Sequence, residues 1–156
     1  MPFLLRVAMS IGAVFGSLGT VTGGWALLRV ATYDGPFRIG EVAVSRADFL
    51  AVAVPFLIIY VLACLTAAAA SWALWRRRAR SRSLLVALLA EFAVGDAAML
   101  VFMSQTLEVS PSELASAALS FTVLVALGLW YLFRKGSVVR YYESISHAFL
   151  ESASGT

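Results

Sequence analysis

"FLAVAVPFLIIYVLACLTAAAASWALWRRRARSR", residues 49 to 82, decides the fold class. From Phe49 to Trp75 the stretch carries no charge, and then five of the seven positions from 76 to 82 are arginine. A helix rising about 1.5 Å per residue makes the apolar part roughly 40 Å long, enough to cross a hydrocarbon core of about 30 Å. A lone strand in lipid would leave its backbone N–H and C=O groups unpaired, so the helix is the viable reading.

Three more apolar runs follow the same logic: Phe3 to Val30, Ser83 to Gln105 and Pro111 to Phe133. The chain of 156 residues is 61% hydrophobic and 13% charged, with a mean hydropathy of +0.87. A soluble domain carries about 25% charged residues. The expected fold is an all-α integral membrane protein. It is a four-transmembrane-helix bundle over residues 1–136, with a cytoplasmic amphipathic tail over 137–156. The apolar stretch from Val7 to Leu28 exceeds a signal-peptide core of about 7 to 15 residues, so it is read as a retained first span.

The net charge of +3 and pI near 9.4 raise the question of nucleic acid, and position argues against it. Seven of the twelve basic residues lie in "RRRARSR" (76 to 82) and "RK" (134 to 135), each beside the end of a span. This is the positive-inside pattern. It predicts a multi-pass protein of the cell membrane, with both termini cytoplasmic and two loops, 32–48 and 106–113, outside. Trp25, Tyr33 and Phe37 then mark the outer interface, and Trp72, Trp75, Trp130 and Tyr131 the inner one. The single cysteine, Cys64, excludes an intrachain disulfide.

Helix starts are signposted. Ser45 with Asp48 opens the second span, and Ser110, Pro111 and Glu113 open the fourth as a capping box. "FRIGEVAV" in the first outer loop predicts a short hairpin or extended strand bending at Gly40. In the tail, Val138, Tyr142, Ile145 and Phe149 form one apolar helical face opposite Arg140, Ser144 and Glu151. That predicts a helix lying along the cytoplasmic interface, with His147 at headgroup level.

The first span carries Gly12, Gly16, Gly19 and Gly23, spaced 4, 3 and 4. Such a stripe lets helix backbones approach closely in lipid. Ala63, Ala67, Ala70 and Ser71 on the second span, and Ala115, Ala118, Thr122 and Ala126 on the fourth, offer matching small faces. Packing within the chain is favoured over a homodimer seam.

Within "LLAEFAVGDAAML", residues 88 to 100, stand Glu91 and Asp96. Five residues apart, they lie about 140° apart around a helix, so they cannot form one bidentate site. Both can flank an inward arc of Leu85, Leu88, Phe92, Gly95, Met99 and Met103. Asp96 lies roughly 20 Å from the basic end of its helix. At that depth the other spans bring Ser17 or Thr20, Tyr60 or Cys64, and Ser120, a candidate polar layer. Glu91 lies nearer the basic end, by Thr66 or Ala67 and Thr122. No cation lies at this depth. Asp96 is therefore expected as the neutral acid, hydrogen-bonded within the bundle, or as a proton or cation carrier.

No HExxH, cysteine pair, nucleotide loop or histidine–carboxylate cluster occurs. The lone histidine is in the tail, so no catalytic residues, metal ligands or cofactor are assigned. "LWYLFRKGSVVRYYES", residues 129 to 144, resembles the tail of a family of small bacterial four-span membrane proteins through Tyr131, Arg134, Val138, Arg140 and Tyr142. The resemblance implies four spans in a bacterial inner membrane and no activity. The expected function is that of a packing or accessory subunit, homo-oligomeric or within a larger membrane complex, in contact with the lipid bilayer and without nucleic acid or catalysis of its own. The alternative is a small proton- or cation-coupled transporter or channel using Asp96 and Glu91.

Overall fold

The computed structural model describes residues 1–39, 42–106 and 110–154. In chain order these form α1 (Phe3–Thr32), β1 (Phe37–Ile39), β2 (Val42–Val44), α2 (Arg46–Trp75), α3 (Arg80–Thr106), α4 (Pro111–Arg134) and α5 (Gly136–Ser154). Helices α1 to α4 are long and apolar enough to cross a membrane.

The boundaries have local causes. Ser45 Oγ accepts the Asp48 N–H at 3.2 Å and donates to the Asp48 carboxylate at 2.6 Å, which starts α2. At α4 the capping box is complete: Ser110 Oγ accepts the Glu113 N–H at 3.3 Å, and the Glu113 carboxylate accepts the Ser110 N–H at 3.0 Å. Each such cap stabilises its helix by about 1 kcal/mol. Helix α2 closes by a different device. The Arg78 N–H donates to Ala73 O at 2.8 Å and the Arg77 N–H to Leu74 O at 3.1 Å. This is a Schellman closure, and its left-handed position, usually glycine, is held by Arg77 at φ 50.

The hairpin pairs antiparallel with Phe37 opposite Val44 and Ile39 opposite Val42. The bend expected at Gly40 lies outside the described residues. The hairpin caps the α1–α2 junction. Phe37 is buried and packs on Tyr33 and Phe49, with ring centroids 5.4 and 4.9 Å apart. Arg46 bridges Asp34 at 3.1 Å and donates to Ala31 O, in the last turn of α1, at 3.0 Å.

The glycine stripe of α1 lies on α2. A methyl carbon at Gly16 would stand 2.7 Å from Ala68 N and 2.8 Å from Cys64 O. These are backbone atoms that cannot swing aside. Gly12 meets Ser71 and Ala67, Gly19 meets Cys64 and Tyr60, and Gly23 meets Val61 and Tyr60. On α2, Ala63, Ala70 and Ser71 are buried. The small face of α4 has a different neighbour: Ala118, Thr122 and Ala126 border a groove shared with α3.

Packing weakens along the chain, from α1–α2 to α2–α3 to α3–α4. The expected bundle is not closed. Helices α1 and α4, which a four-helix ring would set side by side, do not pack along their lengths among the described residues. The total accessible surface is 10505 Å². A compact soluble monomer of 16.7 kDa would expose about 7,600 Å².

One end is well packed. Leu5, Leu74, Leu132, Val138 and Tyr142 form a buried cluster drawn from α1, α2, α4 and α5. Only Lys135 separates α4 from α5, and its extended backbone turns the chain so that α5 folds under the helix ends. The apolar face expected of the tail is thus partly spent on the protein's own core: Val138 is fully buried and Tyr142 is 5% exposed. The side chains of Phe149 and Glu151 lie outside the described residues. Ser81 donates to the Tyr142 hydroxyl at 3.2 Å. Arg82 donates to Leu132 O at 2.8 Å and lies over the Phe133 ring at 4.2 Å, tying the start of α3 to the end of α4.

The seam gives a direct expectation. Gly16→Leu should lower stability in detergent by at least about 2 kcal/mol through overpacking. Gly24→Leu, where an added carbon meets nothing within 4 Å, should leave it unchanged. Intrinsic-fluorescence melting that ranked the two variants alike would remove the stripe as a packing face.

Candidate functional site

Helix α3 directs its two carboxyl groups to opposite neighbours. Glu91 faces α2, where the Thr66 hydroxyl donates to Glu91 Oε1 at 2.8 Å. Its other oxygen, Oε2, is buried and has no hydrogen-bond partner. Beside it lies a small apolar recess of about 260 Å³ lined by Ile59, Leu62, Ala90 and Val94. Desolvating a carboxyl oxygen without a partner is costly, so Glu91 leaves one unsatisfied oxygen at the α2–α3 seam.

Asp96 faces α4. It lines an open groove of about 350 Å³ with Ala93, Ala97, Ala118, Thr122 and Ala126. The hydrogen-bonded Asp96 expected from the sequence is not found: among the described residues no donor reaches its carboxyl group. Thr122, placed by depth counting beside Glu91, belongs to this groove instead, and its hydroxyl donates back to Ala118 O at 2.8 Å.

The candidate polar layer does not assemble around Asp96. Ser17 and Ser120 are exposed. Thr20 donates to Gly16 O of its own helix at 2.7 Å. Tyr60 and Cys64 border Gly19, on the α1–α2 seam. The physical reason is rotational. Counting residues sets the height of a side chain in a helix, and packing sets the direction in which it points. The inward arc holds only in part: Leu85 packs against the buried cluster, whereas Phe92 is 51% and Met99 46% exposed. Gly95 meets α2, where an added carbon would lie 3.3 Å from Ile59 Cγ2. The Met103 side chain lies outside the described residues.

Sequence reasoning missed a second polar centre, at the basic end. Arg76, Arg77, Arg78 and Arg80 line a cavity of about 990 Å³ closed on its far side by Tyr141, Ser144 and Ile145 of α5. The arginine run was legible as a charge cluster. That α5 would fold against it depended on the one-residue turn at Lys135. Burial pushes the Tyr141 phenol above its ordinary value, an effect partly offset by the Arg77 charge. Burial raises Tyr142 too, against the lowering effect of its hydrogen bond from Ser81. Both therefore stay protonated at neutral pH.

Among the described residues no group of three or more His, Cys, Asp or Glu side chains is arranged to hold a metal ion. Comparison with protein-family models, with curated proteins and with solved structures found no match for this chain.

The two carboxyl groups should respond differently to removal in detergent-dispersed single chains. Glu91→Gln keeps an acceptor for Thr66 and should fold normally. Glu91→Leu should cost about 0.5 to 1.5 kcal/mol by orphaning the Thr66 hydroxyl. Asp96→Leu should change stability by less than about 0.5 kcal/mol, since no partner within the chain is lost. Unfolding titrations with tryptophan fluorescence measure this order. A larger loss for Asp96→Leu than for Glu91→Leu would show that Asp96 has an intrachain partner.

Proposed function

We propose that this protein is a multi-pass membrane subunit that works by helix assembly, with further copies of itself or within a larger membrane complex, and carries no catalysis of its own. One observation carries the reading: Asp96 opens onto an apolar groove between α3 and α4 with no partner. A charged side chain mid-span costs several kcal/mol, and such groups face protein or water rather than lipid. A helix laid into the groove would cover Asp96 and offer it a donor. Ala93, Ala97, Ala118 and Ala126 are small enough to let that helix come close. The unclosed α1–α4 side and the excess accessible surface support the same reading.

The arginine-rich end is assigned to the cytoplasm on the strength of its charge. The glycine stripe is already occupied by α2, so the α3–α4 side is the assembly face.

Glu91 favours a second reading. A buried carboxyl oxygen with no partner, beside a threonine hydroxyl, suits a proton or cation carrier. The opposite orientations of Glu91 and Asp96 weigh against a single path through both. A pH-dependent flux in proteoliposomes that is abolished by Glu91→Gln would favour this reading.

Native mass measurement in nanodiscs tests the assembly. The parent should appear at two or more copies, or with a copurified partner. Ala118→Leu, which fills the groove, and Asp96→Leu should both shift it toward the single chain. A parent that stays a single chain in every lipid tested contradicts the proposal.

A further inference from the structure

We infer that the cavity between the α2–α3 turn and α5 is a binding site for a phosphate-bearing group, held by Arg76, Arg77, Arg78 and Arg80 with Tyr141 and Ser144. The argument is independent of the assembly reading and rests on three observations.

First, the charge is uncompensated. Four arginines line one cavity, and none of its lining residues carries a carboxylate. The ion pair found among the described residues, Arg46 with Asp34, is in the segment flanking the hairpin. Arg82, by contrast, is committed to Leu132 O and two aromatic rings. The side chains of the four cavity arginines make no hydrogen bond among the described residues, and Arg76 merely rests on Trp72 and Trp75, 4.8 and 5.9 Å from their ring centroids. Guanidinium groups present paired donors that match the oxygens of a phosphate. Ala79 and Arg80 also introduce α3, whose N-terminal end adds positive potential.

Second, a neutral donor waits in the wall. The Tyr141 hydroxyl is buried without a hydrogen-bond partner, and Tyr141 lines the cavity with Ser144. A buried hydroxyl is normally satisfied. Other atoms of Tyr141 line the cavity, and a turn of its ring would bring the hydroxyl to a phosphate oxygen there. Ser144 Oγ donates to Tyr141 O at 2.7 Å and so helps hold that stretch of α5 in place.

Third, the turn itself is costly. Arg77 occupies the left-handed position of the Schellman closure at φ 50. A non-glycine residue there costs about 1 kcal/mol relative to glycine. Membrane topology needs positive charge near the span end, and any of the neighbouring arginines supplies it. An arginine in the one position that favours glycine is better explained by where its side chain is delivered.

The ligand chemistry is a phosphomonoester or other multiply charged phosphate. It can come from an anionic lipid headgroup or from a free phosphate compound, and the cavity volume of about 990 Å³ admits either. Binding would be read from the fluorescence of Trp72 and Trp75, against which Arg76 rests.

The test uses the full chain in nanodiscs. One arm holds phosphatidylcholine and is titrated with inorganic pyrophosphate. The other compares phosphatidate with phosphatidylglycerol at equal surface charge. Three variants separate the possibilities. Tyr141→Phe removes a hydroxyl without a partner, so it leaves folding and charge unchanged. Arg77→Gly relieves the left-handed backbone, so its melting temperature should hold or rise. Arg140→Gln removes one charge from α5 outside the cavity lining and is the control. Saturable binding in either arm, weakened about 3- to 10-fold by Tyr141→Phe and at least 10-fold by Arg77→Gly, supports the site and identifies the source. A basic surface acting only by its charge would lose about fivefold for each arginine removed, wherever it lies. Binding indifferent to Tyr141→Phe, with Arg77→Gly and Arg140→Gln losing equally, or no saturable binding in either arm, overturns the proposal.

Discussion

The close approach of α1 to α2 at Gly16 is the contact on which the rest of the structure depends. Backbone meets backbone there, with no room for a methyl group. In lipid, where apolar side chains gain little by leaving one hydrocarbon for another, such close contact is a main source of helix affinity. The other glycines of the stripe extend the contact along α1. Arg46 and the Phe37 cluster fasten it at the hairpin end, and Leu5 with Leu74 fastens it at the other. The α1–α2 pair is therefore the most extensively packed part of the structure, and the remaining helices are added to it.

That unit explains where polar groups are left open. With the glycine face of α1 already covered by α2, α3 packs on the other side of α2 through Thr66, Glu91 and Gly95. Helix α4 then attaches through Gly128, which receives the Leu89 side chain, while further along the pair separates around Asp96. The basic end is drawn together by α5, and the Asp96 region has no equivalent clasp. An open groove and a basic pocket thus arise at different heights of the same molecule, one from an unclosed seam and the other from a helix folded back.

Much of this was legible in the sequence because it rests on local signals. Ser45 and Ser110 announced α2 and α4 because a cap needs only residues three positions apart. The tail face through Val138 and Tyr142 was visible because a surface helix alternates between two environments. Within a lipid span the sides of a helix are almost equally apolar, so the pattern loses its phase. Phe92 and Met99 were read as inward and stand exposed, and Ser17 and Ser120, expected in a polar layer, are exposed as well. The left-handed backbone of Arg77 was hidden because the residue that usually marks it, glycine, is not there. That α1 and α4 do not pack along their lengths, among the described residues, is a property of the whole arrangement, and no short stretch of sequence encodes it.

The central claim is that the four long helices stop short of closing into a ring and leave the α3–α4 side to be completed by another chain. Pulsed electron resonance on spin-labelled, spin-diluted protein in nanodiscs measures this directly. Nitroxides on α1 and α4 near the hairpin end, at Leu28 and Ser116, should be clearly farther apart than a pair at Leu28 and Ala51 on the adjoining α1 and α2. Equal distances for the two pairs, as the common spacing of about 8 to 10 Å between neighbouring helix axes in a closed bundle would give, would contradict the account.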